Sequence, residues 1–117
     1  MIVDCFTYFN ESSLLIARLN YLSPFFDLFV VCEASKTHQG ADKPFSAKNI
    51  VEQRRPDLLH KIRFIECHDL PVALGDDANW ERDRYQRNAI MRGLYDLPLD
   101  AKIIVSDLDE IPNAEKI

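Results

Sequence analysis

Four short apolar runs, spaced far enough apart for helices to lie between them, constrain this chain more than any other feature. "IVDCF" (2–6), "DLFVVCEA" (27–34), "KIRFIECH" (61–68) and "AKIIVSD" (101–107) are rich in β-branched and aromatic residues, as strands are. The second is almost continuously apolar, which a strand covered on both faces requires. After the first run, residues 10–22 put Leu15, Leu19 and Leu22 on one helical face, with Asn10 placed as cap and Pro24 as terminator. A helix over 46–54 and a short helical turn near 56–60 follow the second run, and a longer helical segment, 79–96, precedes the fourth. The order βαβαβαβ predicts an α/β fold, a four-stranded and mainly parallel sheet with helices on both faces. The 117 residues contain no repeat or linker and read as one unit.

Charge narrows the function classes. Fourteen Lys and Arg against nineteen Asp and Glu leave a net charge of −5, with no basic stripe to neutralise nucleic-acid phosphates. An acidic chain that handles a phosphorylated ligand needs a metal ion or a few well-placed arginines. Cys5, Cys32 and Cys67 are widely spaced in strand-like runs and read as buried free thiols, which fits a reducing compartment. The sequence opens directly on an apolar strand without a leader, and no run approaches the roughly 20 apolar residues of a membrane span. These features predict a cytoplasmic protein without a transmembrane segment.

The densest chemistry lies in "KIIVSDLDEIPN" (102–113), where an apolar strand, read as buried, delivers Asp107, Asp109 and Glu110 to one place. Side chains alternate along a strand, so Asp107 and Asp109 project together while Leu108 turns to the core. Two adjacent carboxylates repel and favour a cation between them, and hard oxygen donors suit Mg2+ or Mn2+. With the strands in the order 3-2-1-4, the switch point falls between strands 1 and 4, where sheets of this kind bind ligands beyond the strands' carboxyl ends. A solvated acidic turn explains the same residues without function. A nucleophilic aspartate of the DxDx[TV] type is disfavoured, because "DLDEI" lacks the Thr and lies on the last strand.

Other residues admit two readings each. Arg84 and Arg87 fall within the apolar stripe Trp80, Ile90, Met91 and Leu94, so either they reach a ligand phosphate or the acidic cluster, or they snorkel beside Asp83 or Glu81. Glu33, ending strand 2, is a candidate acceptor for ribose hydroxyls or an exposed strand end. His38 is a loop histidine, ligand-binding or solvated. Phe6, Tyr8 and Phe9 could stack on a base or belong to the core.

Taken together, "DCFTYFNE" (4–11), "VVCEASKTHQG" (30–40), "WERDRYQRNAI" (80–90) and "IVSDLDEIP" (104–112) resemble glycosyltransferase family 17, the β-1,4-mannosyl-glycoprotein β-1,4-N-acetylglucosaminyltransferases and their relatives. The resemblance implies a GT-A, Rossmann-like nucleotide-sugar-binding fold and an inverting, metal-dependent transfer from a UDP-sugar to a glycan or glycolipid acceptor. It makes Asp107 and Asp109 the DxD pair that holds Mn2+ or Mg2+ against the diphosphate. It draws Glu33, Thr37, His38, Arg87 and Asn88 towards the donor. It also implies that residues 1–117 are the N-terminal donor-binding portion, incomplete relative to a full GT-A domain, with the general base beyond Ile117. The other reading is a truncated, non-catalytic nucleotide-sugar-binding or interaction module. The exposed sheet edge after strand 4 predicts self-association.

Overall fold

The structure, a computed structural model, describes residues 1–34, 45–67 and 78–116, and the backbone alone for residues 78–83. Four parallel strands, β1 (Ile2–Tyr8), β2 (Leu28–Ala34), β3 (Ile62–Cys67) and β4 (Lys102–Asp107), form one sheet in the order β3-β2-β1-β4. Helices α1 (Ser12–Leu22) and α2 (Ala47–Arg54) and a 3-10 turn at Pro56–Lys61 pack on one face. Helix α3 (Ala78–Ala89) and a 3-10 turn at Ile90–Gly93 cover the other. The expected α/β architecture is therefore present, with every strand pair parallel.

Alternation along the central strands separates the two cores. Phe6 and Tyr8 of β1 and Phe29 and Val31 of β2 meet Leu15, Leu19 and Leu22 of α1 and Val51 of α2. Val3 and Cys5, with Val30 and Cys32, meet Ala89 and Ile90 on the opposite side. β2 is buried at every residue, as its continuous apolar run requires. Gly93 lies so close to the sheet that a Cβ there would come to 3.0 Å from Val30 Cγ1 and 3.3 Å from Ile65 Cδ1, so any side chain would require those two residues to shift by a few tenths of an ångström.

Three local expectations change. Asn10 does not cap α1: β1 continues to Tyr8, Glu11 takes the cap position without a side-chain bond, and the Asn10 carbonyl accepts from Ser12 N at 3.1 Å. The helix expected over 79–96 ends at Ala89 and tightens into the 3-10 turn, which buries Ile90 but turns Met91 outward to 50% exposure. β4 is the outer strand, as the order 3-2-1-4 places it, but its apolar run is not buried: Ile103 and Val105 stay 39% and 46% exposed beside the buried Val3 and Cys5. A continuous apolar run signals cover on both faces, but among the described residues that cover extends over β1, β2 and β3 and leaves Ile103 and Val105 open.

All three cysteines are buried free thiols, as expected from their spacing. Burial, with the Asp4 carboxylate adding to it, pushes the Cys5 thiol from 9.0 to about 12, partly opposed by Arg18. A proton held more tightly by the folded chain stabilises it below pH 9.0, and this contribution is lost as the pH rises towards about 12. Thermal melts should therefore show stability falling through that window, with a shallower fall in Cys5→Ala. A thiol reagent at pH 8 should leave all three cysteines unmodified until denaturant is added.

Candidate functional site

The parallel register sets Thr7 at the end of β1 beside Asp107 at the end of β4. Beyond these two strand ends opens a cleft of about 330 Å³. Thr7, Phe9, Glu11 and Leu14 form the wall from β1 and the start of α1, and Asp107, Leu108 and Asp109 form the other. This is the switch point of the sheet, where β1 leads outward to β2 on one side and pairs with β4 on the other.

The turn after β4 is closed reciprocally. Glu110 N donates to the Asp107 carbonyl at 3.0 Å, and Asp107 N donates to Glu110 Oε1 at 2.9 Å. The third carboxylate of the cluster thus fastens the turn. Leu108 is buried in the α1-side core, which leaves Asp107 and Asp109 facing the cleft.

Beneath this turn lies a fully buried guanidinium. Arg18, from the buried stripe of α1, donates through Nε and Nη2 to both Asp4 oxygens at 2.9 and 2.7 Å. Its Nη2 also donates to Ser106 Oγ at 2.7 Å. Its Nη1 faces the carbonyls of Asp107, Leu108 and Glu110 at 2.7, 3.1 and 3.4 Å. The Phe6 ring lies against the cation, 4.4 Å from its centroid.

A second arginine approaches from above. Gln86 Nε2 donates to the carbonyls of Cys32 and Tyr8 at 2.8 and 3.2 Å, pinning α3 to the carboxyl ends of β1 and β2. One residue on, Arg87 Nη2 ion-pairs with Asp107 Oδ1. The arginine within the apparent apolar stripe therefore reaches the acidic cluster. Both partners are nearly half-exposed, so the pair contributes only about 0–1 kcal/mol to folding and matters for where it holds a positive charge.

The sequence profile of glycosyltransferase family 17 matches residues 1–117. The chain belongs to glycosyltransferase family 17. No curated protein and no solved structure gives a significant match. Membership makes it a glycosyltransferase sequence, which implies a sugar donor and an acceptor. Among the described residues, no helix is long and apolar enough to cross a membrane.

The remaining candidates of this family 17 chain fall in three places. Asn88 is exposed on α3 beside Arg87. Thr37 and His38 lie outside the described residues. Glu33 is 4% exposed, and its carboxylate accepts from Ser46 N at 3.0 and 2.9 Å and from Ala47 N at 2.9 Å. It satisfies backbone donors at the start of α2, where the helix dipole also favours a negative charge. Of the three aromatic candidates, Phe6 and Tyr8 are core residues and Phe9 lines the cleft.

Asp4, Arg18 and Gln86 were not among the residues singled out by sequence. A signal existed for two of them: Arg18 interrupts the Leu15–Leu19–Leu22 stripe and Asp4 interrupts an apolar strand. Opposite charges in two core elements point to a buried pair. For Glu33, replacement by Ala should destabilise the fold by about 1–3 kcal/mol, because backbone N–H groups at the start of α2 lose their acceptor. Urea unfolding of Glu33→Ala checks this.

Proposed function

We propose that this family 17 chain is the N-terminal, donor-binding portion of a GT-A transferase. The reaction moves an N-acetylglucosamine-like sugar from a UDP-sugar to a glycan or glycolipid acceptor, with inversion. The observation that carries the proposal is the pair Asp107 and Asp109 on one wall of the switch-point cleft, with the Arg87 guanidinium on Asp107.

The donor set fits a hard divalent ion. Among the described residues, no three or more His, Cys, Asp or Glu side chains gather as a metal cage. Mg2+ and Mn2+ in phosphate sites commonly use only one or two carboxylates, the substrate's phosphates and water completing the shell. Asp107 and Asp109 would hold the ion, which when bound supplies charge neutralisation of the departing diphosphate. Arg87 offers a second positive charge at the same point and orients phosphate oxygens through its planar fork. Phe9, which also lines the cleft, is the aromatic side chain placed to meet the nucleotide base.

Calorimetric titration tests the proposal. UDP-GlcNAc should bind in the presence of Mn2+, and Asp109→Ala should weaken that binding at least tenfold while leaving the fold intact. Binding that ignores the metal, or an unaffected Asp109→Ala variant, removes the DxD assignment. Donor binding with neither sugar transfer nor donor hydrolysis leaves the chain a nucleotide-sugar-binding module.

The outer edge of β4 completes the reading as a self-association surface. Ile103 and Val105 extend the apolar face of Val3 and Cys5 to a strand edge, where another strand can add. Light scattering should show a dimer that forms with rising concentration and disappears in Val105→Lys. A monomer at high concentration counts against it.

A further inference from the structure

The DxD carboxylates stand on a turn whose backbone is gathered around one buried cation. Three carbonyls within four residues, those of Asp107, Leu108 and Glu110, face Arg18 Nη1, and the hydroxyl of Ser106 accepts from Nη2. Converging carbonyl dipoles repel one another, and the charge on Arg18 Nη1 offsets that repulsion. The chain therefore winds around the guanidinium, and the directions in which Asp107 and Asp109 leave the backbone follow from that winding. Asp4 holds the guanidinium bidentately from the middle of β1, and the Phe6 ring supports its face. Arg18 and Asp4 are both fully buried, so neither can touch a ligand.

We infer that Arg18, held by Asp4, is the positioning residue of the site: it sets the geometry of the Asp107–Leu108–Asp109 turn and thereby the metal affinity of its two aspartates. The inference rests on the metal reading above for its second half only. A lysine at position 18 would keep a charge for Asp4, but its single ammonium cannot reach both the carboxylate and the three carbonyls as a planar fork does.

The test is Arg18→Lys in the full chain, read by residue-resolved amide exchange and by Mn2+ titration in the presence of UDP. The amides of Asp107 and Glu110, whose bonds close the turn, should exchange at least tenfold faster, with protection in β2 unchanged. The Mn2+ affinity should fall at least tenfold. Unchanged turn amides together with unchanged Mn2+ affinity overturn the inference. So does protection lost evenly across the sheet, which would make Arg18 a general support of the core. The double variant Asp4→Leu/Arg18→Met, which removes the pair with apolar groups of similar volume, guards against a folding failure of the single variant. It should loosen the same turn in a folded sheet, and a tight turn in that variant also overturns the inference. Should the wild-type chain bind no Mn2+ in the presence of UDP, the metal reading fails, and the turn amides alone decide the role of Arg18.

Discussion

A charge pair buried between β1 and α1 connects the core of this protein to its surface chemistry. Asp4 and Arg18 have no exposure, and an ion pair in such a place is a weak source of stability, because desolvation offsets most of the attraction. Its value here is directional. One guanidinium gives two of its donors to a carboxylate in the sheet, one to the Ser106 hydroxyl near the end of β4, and turns Nη1 to the carbonyls of the turn that follows. β1 and α1 thus determine the shape of a segment nearly ninety residues further along the chain. Losing either partner would strand the other charge in the core, a penalty of roughly 3–5 kcal/mol in buried pairs generally.

The cleft follows from that arrangement and from the strand order. Because β4 pairs with β1 and not with β3, the carboxyl ends of the first and last strands lie side by side, and the chain leaving β1 turns into α1 along one wall. Helix α3 is drawn over the same end by Gln86, whose amide donates to the backbone of two neighbouring strands. That contact carries Arg87 to Asp107. The site of this family 17 chain thus combines two negative charges presented by a strand end and a positive charge presented by a helix, each held from beneath by buried polar bonds.

Glu33 shows how the same logic can serve the fold. A carboxylate at the carboxyl end of a parallel strand is also where a neighbouring helix begins, and the start of α2 has unpaired N–H groups to satisfy. Sequence position alone does not say which donors a carboxylate at a strand end meets; for Glu33 they include Ser46 N and Ala47 N. β4 carries a related lesson, since "KIIV" has the composition of a covered strand and lies at the edge of the sheet.

The sequence by itself determined the alternation of strands and helices, the two-sided burial of β2 and the burial of the three thiols. These follow from residue periodicity and from the local geometry of a strand, which need no partner to be read. Only the tertiary structure decided that Arg87 meets Asp107 and that Arg18 and Asp4 find each other. Each depends on elements distant in sequence arriving at one point, and a guanidinium at the end of a long side chain has several carboxylates it could pair with until packing leaves it one.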